Sequence, residues 1–284
     1  MINNKIRKGL HVVISKFNVM ALRKAKGELF LLYKIVKEIK QNHWTYQEKE
    51  ALKKINKLRK FYSHNQNEIS ITDYGFGSSN DNRTDEQMQK GVEQTKIVST
   101  VYQSASSSIK HGEFMFKIIR EYKPVICFEL GTCLGVSSAY GAEALSLNKN
   151  NGEYITLEGA PKLAQLSKST LEKFSFTNYF VVEGRFVDSL PHLLKKYNNI
   201  DFAFIDGHHE ENATIKYFEA FYSNLSQKAI LIFDDINWSN GMRRAWKTIR
   251  KDDRITWSVD NFFRGVCFID KANNTRNKSY RIWF

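Results

Sequence analysis

A short apolar stretch at residues 125–130, VICFEL, leads directly into residues that can bind a ligand. Glu129 lies near its end, Gly131 and Gly135 follow, and Ser137 falls where the next helix is predicted to begin. Glycine permits a tight turn and a close approach of a ligand to the backbone, and a serine can hydrogen-bond near a helix N-terminus. An acid, glycines and a helix start in this order are typical of the ligand-binding crevice of an open α/β sheet.

The spacing of the glycines indicates which ligand this turn can hold. A dinucleotide-binding loop has the pattern G-x-G-x-x-G, but Cys133 and Val136 occupy two of those glycine positions, so a bound pyrophosphate is disfavoured. A second predicted strand, EYITLE, ends in Glu158, where an acid accepts hydrogen bonds from ribose hydroxyls. Two acids without a pyrophosphate loop therefore predict a nucleoside ligand that lacks phosphates.

Acids and a histidine also follow two later apolar runs. The run DFAFID ends in Asp206, with His209 three residues further on, and the run AILIFDD ends in Asp234 and Asp235. The carboxyl ends of parallel strands meet at one edge of a sheet, where three carboxylates suit a hard divalent cation such as Mg²⁺. Such a cation orients a substrate hydroxyl and lowers its pKa, and His209 is a candidate general base. The alternative is structural: Asp206 caps the next helix, and the paired aspartates bind loop amides.

The elements that position these residues follow from the hydrophobic pattern. From residue 97 onward, apolar runs of strand length alternate with segments of helical periodicity, which predicts an α/β, Rossmann-like parallel sheet with helices on both faces. Two later runs, ITWSVDN (255–261) and RGVCFID (264–270), are joined by a short turn and predict an antiparallel hairpin. The last run, YRIWF (280–284), is a candidate edge strand. The parallel runs are VICFEL, EYITLE, YFVVE, DFAFID and AILIFDD.

The positive charge is concentrated in the first part of the chain. Residues 1–62 hold 16 Lys/Arg and 4 Asp/Glu, and so carry +12 of the net charge of +13. Helical spacing of apolar residues within 28–41 and 45–62 predicts a basic helical extension. Residues 63–96 are rich in Ser, Asn, Asp and Gly and are predicted to be a linker or loop, which leaves 97–284 as the body. The lysines form either a solvated helix face or a surface for RNA, anionic lipid or an acidic partner.

Composition limits the class of protein. With 42% hydrophobic and 26% charged residues and only 3 prolines in 284 residues, the chain is globular rather than disordered. Its 3 cysteines cannot form a disulfide framework, which favours a reducing compartment and predicts a cytoplasmic location. No stretch approaches the roughly 18 apolar residues of a membrane span, and the basic N-terminus lacks the cleavage site of a signal peptide.

Over residues 97–284 the sequence resembles the class I S-adenosylmethionine-dependent methyltransferases. The resemblance is carried by FELGTCLGVSSAY, ITLEGAP, VVEGRF, FIDGHHE and LIFDDINWS, in the order of the family, and by the terminal hairpin. Within this superfamily the sequence is most similar to the small-molecule O-methyltransferase-like branch that carries an F-I-D-G-x-H segment. The resemblance implies a seven-stranded sheet in the order 3-2-1-4-5-7-6.

The resemblance also implies a cofactor, S-adenosylmethionine, and residues that bind it. Metal-dependent catechol-type O-methyltransferases are similar at the acids as well, with an acid after the fourth strand and two polar ligands after the fifth. They have a lysine three residues after the first acid, where this sequence has His209. The residues implied to bind the cofactor are Glu129, Gly131 and Gly135 at the methionine portion, Ser137 at the helix start, Glu158 at the ribose, and Gly184, Arg185 and Phe186 beside the adenine.

The implied reaction moves a methyl group from a sulfonium to an oxygen or nitrogen nucleophile of a small molecule. His209 and Asp206 are then the catalytic residues, and Asp206, Asp234 and Asp235 are the ligands of Mg²⁺ or another divalent cation. A second hypothesis is a non-catalytic nucleoside-binding module whose basic arm binds RNA or an anionic membrane surface. A third, a nicotinamide-dependent oxidoreductase, is disfavoured by the glycine spacing and the terminal hairpin. A homo-oligomer is compatible with all three.

Overall fold

The computed structural model describes residues 4–74, 83–272 and 277–283. Its helices are α1 (Asn4–Arg23), α2 (Glu28–Lys40), α3 (Tyr46–Ser63), α4 (Asp85–Lys90), α5 (Val98–Ala105), α6 (Ile109–Tyr122), α7 (Val136–Asn148), α8 (Pro161–Lys173), α9 (Phe186–Lys196), α10 (Glu211–Tyr222) and α11 (Asn240–Ile249). Its strands are β1 (Glu68–Asp73), β2 (Val92–Ile97), β3 (Ile126–Leu130), β4 (Glu153–Glu158), β5 (Tyr179–Glu183), β6 (Ile200–Ile205), β7 (Leu225–Phe233), β8 (Trp257–Asp260), β9 (Gly265–Asp270) and β10 (Lys278–Arg281).

The central sheet has eight strands in the order β10-β8-β9-β7-β6-β3-β4-β5. Strands β3 to β7 are parallel, and β9 runs antiparallel to both β7 and β8. Numbered from β3, the first seven strands of the body have the predicted order 3-2-1-4-5-7-6, so the α/β class and the terminal hairpin are confirmed. The predicted count of seven is corrected, because β10 pairs with β8 in parallel at the edge.

Apolar residues cover both faces of this sheet, as expected for parallel strands. Successive side chains of β3 point to opposite faces, so Cys127 belongs to one apolar cluster and Phe128 to the other. The face that carries Phe128 packs mainly against α9, α10 and α11, whereas α6, α7 and α8 cover the face that carries Cys127. Chain order reverses between β3 and β6, and ligands of such sheets bind at the carboxyl ends of the strands at this point.

The helical extension shares a core with the body. Leu32 and Ile35 of α2 and Ile55 and Leu58 of α3 are fully buried, and they belong to the same apolar cluster as α6 and α7. Helix α1 reaches the far edge of the sheet, where a ring nitrogen of His11 is 2.9 Å from the Ile282 carbonyl oxygen. The predicted division at residue 62 therefore does not coincide with a boundary in packing.

Residues 63–96 contain more structure than the predicted linker. β1 and β2 pair along their whole length as an antiparallel two-stranded sheet, with α4 between them in sequence. Their alternation of apolar and polar residues suits a strand pair, but the surrounding Ser, Asn and Asp residues obscure it in the sequence. Residues 75–82 of the predicted loop lie outside the described residues.

Candidate active site

A cleft of about 1490 Å³ opens at the carboxyl ends of β3, β4, β6 and β7. Its volume exceeds the roughly 300–1,000 Å³ of a typical small-ligand pocket, so it has room for a cofactor beside a second ligand. Four of the predicted site residues, Glu129, Gly135, Ser137 and Gly184, do not line it. The predicted site residues that do line it are Gly131, Glu158, Arg185, Phe186, Asp206, His209, Asp234 and Asp235.

The turn after β3 depends on glycine. Gly131 has φ +104°, and a Cβ atom there would lie 2.0 Å from the backbone oxygen of Asp206. Two strand ends that are 75 residues apart in sequence therefore approach closely only because position 131 has no side chain. Gly135, with φ +74°, precedes α7, and no side chain caps that helix. The first amide groups of α7 are consequently left without an intrahelical partner, but no residue of α7 lines the cleft.

Glu129 lies beneath this turn rather than on the cleft surface. Its side chain is fully buried, and the Ser138 hydroxyl donates a hydrogen bond to its Oε2. Its Oε1 is buried without a hydrogen-bond partner among the described residues. Burial raises the pKa of Glu129 to about 7, although hydrogen bonds from Ser137, Ser138 and Thr156 oppose the shift.

Glu158 is held at the end of β4 by two backbone amides. The amide of Cys133 donates to its Oε2 at 2.7 Å, and the amide of Ala160 donates to its Oε1 at 2.8 Å. Burial raises the pKa of Glu158 even though these amides favour the carboxylate. Each oxygen retains a second lone pair, and the residue lines the cleft. The carboxylate is thus pre-oriented to accept hydrogen bonds from a ligand.

The segment after β5 forms one wall of the cleft. The Gly184 amide donates to the Glu158 carbonyl oxygen at 2.8 Å, which ties this turn to the preceding strand. Arg185 Nε donates to Asp188 Oδ2 at 2.7 Å. The ring of Phe186 meets that of Tyr217 edge-on at 6.0 Å between centroids. Arg185 and Phe186 therefore offer a planar cation and an apolar ring to whatever occupies this end.

The acids after β6 and β7 surround a buried arginine that the sequence did not reveal. Arg264 is fully buried, and its Nη2 donates to Asp234 Oδ2 at 2.8 Å. The same group donates to Ser107 Oγ at 2.6 Å, Nη1 donates to the His111 carbonyl oxygen at 3.1 Å, and the guanidinium lies 4.6 Å from the ring centroid of Phe204. The available signal was a charged residue directly before the apolar residues GVCFI of the predicted hairpin.

This arginine makes the protonation of the three aspartates unequal. Burial raises the pKa of Asp234, but the Arg264 guanidinium beside it holds that pKa below its usual range. Burial and the negative charge of Asp234 raise the pKa of Asp206 well above its usual range, and both effects also raise the pKa of Asp235. One positive charge thus faces three acids.

The oxygens of the predicted metal site already have partners within the protein. Asp234 uses Oδ2 to accept from Arg264 and Oδ1 to accept from the Asp235 amide at 2.9 Å. In the described parts of the chain, no group of three or more His, Cys, Asp or Glu side chains is arranged to hold a metal ion. The residues predicted as ligands, Asp206, Asp234 and Asp235, do not fit a divalent cation, because Arg264 already supplies the positive charge at that position.

Three histidines also line the cleft. His209 Nε2 is 3.7 Å from Asp206 Oδ1, and its ring is 5.7 Å from that of Trp238. His111 lines the cleft near Arg264, and burial together with that guanidinium lowers its pKa to about 4. A ring nitrogen of His208 is 2.7 Å from the Tyr217 hydroxyl. His209 is therefore the histidine that has a carboxyl partner in the cleft.

A comparison of the sequence with protein-family models finds a match that includes the strand ends at this cleft. Residues 128–236 match a family model described as a methyltransferase domain. The match contains β3 to β7 and the acids at their ends, and it confirms the methyltransferase predicted from the sequence.

Solved structures show the same fold around the methyltransferase domain. An O-methyltransferase from Bacillus cereus, in complex with SAH, is 23% identical with a TM-score of 0.51, covering 59% of this chain and 84% of that one. The O-methyltransferase TomG from Streptomyces achromogenes, in complex with SAM, is 19% identical with a TM-score of 0.50, covering 58% and 82%. These likenesses confirm the class I methyltransferase fold. The comparison with curated protein sequences finds no match.

Proposed function

We propose that this protein transfers a methyl group from S-adenosylmethionine to a hydroxyl oxygen of a small molecule. The observation that carries the proposal is Glu158, a carboxylate that two backbone amides fix at the edge of a deep cleft in a methyltransferase domain. The O-methyltransferases with the same fold, one described with SAH and one with SAM, support both the cofactor and the oxygen acceptor.

The residues at this end of the cleft fit the cofactor. Glu158 accepts hydrogen bonds from the ribose hydroxyls, and Phe186 and Arg185 flank the adenine. The Gly131 turn, with Cys133 beside it on the cleft surface, holds the methionine portion. When bound, S-adenosylmethionine supplies an electrophilic methyl group on a sulfonium. The surplus of acids in the cleft favours this cationic ligand over a neutral one.

The other end of the cleft removes the acceptor proton. The His209 imidazole takes the proton from the acceptor hydroxyl, and Asp206 Oδ1 lies beside it, 3.7 Å from Nε2. Arg264 holds Asp234 in place on the cleft wall. Trp238 and Phe263 also line the cleft and provide apolar walls for the acceptor. The protein's contribution is alignment of donor and acceptor together with proton removal.

Binding and turnover test this proposal in one experiment. S-adenosylmethionine binding is measured by calorimetry, and a set of small phenolic and catecholic compounds is screened for formation of S-adenosylhomocysteine. His209→Ala should lower the rate by about 10²–10⁴ without changing cofactor affinity. The exposed His192 provides the control, His192→Ala, which should retain the full rate. EDTA should not alter the rate, because Arg264 rather than a metal serves the acids.

Three results would reject parts of the proposal separately. Absence of a binding heat with S-adenosylmethionine rejects the cofactor and with it the reaction. Full turnover by His209→Ala rejects the base but keeps the cofactor, and loss of turnover in EDTA restores the metal.

Other sequence-based predictions extend this proposal. We keep the cytoplasmic location, a homo-oligomer and polyanion contact through residues 1–62 as predictions. No described helix is long and apolar enough to cross a membrane. Deletion of residues 1–62 is not a suitable test of polyanion contact, because it would remove buried residues of α2 and α3 from the core of the body.

A further inference from the structure

Helix α1 presents an apolar stripe to solvent. Leu10, Val13, Phe17 and Met20 are 57%, 53%, 70% and 64% exposed. Their spacing of three, four and three residues places them on one face of the helix. We call these four residues the α1 stripe. An isolated exposed apolar residue is ordinary, but a contiguous exposed row of four large ones indicates an interaction surface.

The fold already uses the opposite face of α1. His11, Ser15 and Leu22 are buried, and His11 contacts both Ile282 and Asp260 at the last strands of the sheet. The helix is therefore anchored to the body through one face while the α1 stripe stays uncovered by any described residue. Burial of the α1 stripe requires a partner outside the described chain.

The charge around the α1 stripe indicates the chemistry of that partner. Residues 7–27 contain no aspartate or glutamate. Lys16 is exposed on α1, and the turn after the helix adds further exposed lysines. A helix with an apolar row beside lysines and arginines lies in the interface of an anionic bilayer, where the row enters the acyl boundary and the basic side chains meet lipid headgroups. The basic residues of this segment are Arg7, Lys8, Lys16, Arg23, Lys24 and Lys26.

The same charges disfavour a second copy of this chain as the partner. Two α1 stripes packed together would bring two uniformly basic segments side by side, and like charges at close range repel. We therefore propose that α1 docks the protein on an anionic lipid surface through the α1 stripe. Lys8 Nζ lies 5.6 Å from the ring centroid of Phe263, which lines the cleft.

Vesicle sedimentation of the full chain tests this proposal. The probes are phosphatidylcholine vesicles, with and without phosphatidylglycerol, at low and high salt. We expect binding to the anionic vesicles that weakens with salt, and little binding to phosphatidylcholine alone. Phe17→Ser should weaken binding about tenfold or more, through loss of apolar burial. Lys16→Glu should weaken binding about fivefold or more, because each basic residue near such a surface contributes about that factor.

Matched controls separate docking from folding. Phe180 is 52% exposed on edge strand β5, and Lys168 is exposed on α8. Phe180→Ser and Lys168→Glu should bind vesicles like the wild type, and circular dichroism should show all four variants folded.

Several results would overturn the proposal. They are no sedimentation of the wild type at low salt, equal loss in the control variants, or binding to RNA without binding to vesicles. Self-association in lipid-free solution that Phe17→Ser abolishes would show that a second copy covers the α1 stripe.

Discussion

Two buried clusters of charged side chains differ in how their charges are balanced. Between the extension and the body, Lys117 Nζ lies 2.9 Å from Glu48 Oε2 and 3.0 Å from Glu38 Oε2. Burial raises the pKa of Glu48, yet the Thr45 amide and Lys117 bring it below its usual range. In the cleft, by contrast, Arg264 pairs with Asp234 and leaves Asp206 and its neighbours with raised pKa values.

The difference separates a structural cluster from a functional one. Arg120 Nε lies 3.8 Å from Glu48 Oε1 and supplies a second cation for the two acids. The Lys117 cluster therefore satisfies its charges within the protein and needs nothing from outside. The acids of the cleft exceed their single cation, and a group with a perturbed pKa in a cleft is a candidate functional residue. A cationic ligand completes the second cluster, and S-adenosylmethionine has the required charge.

The largest expected effect is on the balanced cluster. Lys117→Met leaves Glu48 buried without its cation, which should cost about 3–5 kcal/mol of unfolding free energy. Urea denaturation measures the change, and exposed Lys53 supplies the control, Lys53→Met, with little expected effect. Cofactor affinity of the folded Lys117→Met variant should equal that of the wild type. A loss below about 1 kcal/mol would mean that the cluster is not balanced as described.

The next largest effect concerns Glu129, the buried acid beneath the cleft. Here a substitution should raise the unfolding free energy rather than lower it. Because burial raises the pKa of Glu129 from 4.5 to about 7, the protein binds its proton more tightly when folded than when unfolded. This contribution to stability is present below about pH 4.5 and is lost as the pH rises to about 7. Glu129→Gln should therefore raise the unfolding free energy by about 3 kcal/mol near pH 8 and change little near pH 4.

Denaturation at several pH values measures this effect. The exposed Glu183 of β5 provides the control, Glu183→Gln, for which no such pH dependence is expected. Equal stability of Glu129→Gln and the wild type at every pH would show that Glu129 is ionised without cost in the folded protein.

The sequence predicted the position of those site residues that directly follow or end a predicted strand. Glu129, Glu158, Asp206 and Asp234 each close an apolar run, so their position at one sheet edge followed from the parallel topology. Arg264 could not be found in this way, because its partner Asp234 lies 30 residues away and across the terminal hairpin. The metal prediction was made for the same reason, since the sequence displays the acids but not the cation that faces them.

The first part of the chain shows a similar limit. Amphipathic spacing predicted the helices of the extension, and Leu32 and Ile55 are buried as expected. The spacing did not indicate that α2 and α3 share a core with the body, because an apolar helix face can pack against any apolar surface. Strands β1 and β2 are stabilised by pairing with each other across residues 74–91. Local sequence patterns do not determine a pairing between segments that far apart.

Calorimetry of S-adenosylmethionine binding to Glu158→Ala tests the central claim most directly. If Glu158 holds the ribose, the variant should lose about 1.5–3 kcal/mol of binding free energy for each hydrogen bond removed, which is about tenfold or more in affinity. The control is Glu183→Gln, at the end of the neighbouring strand and paired in register with Glu158, and it should bind like the wild type. Wild-type affinity in Glu158→Ala, with the variant folded, would contradict the assignment of this cleft as the cofactor site.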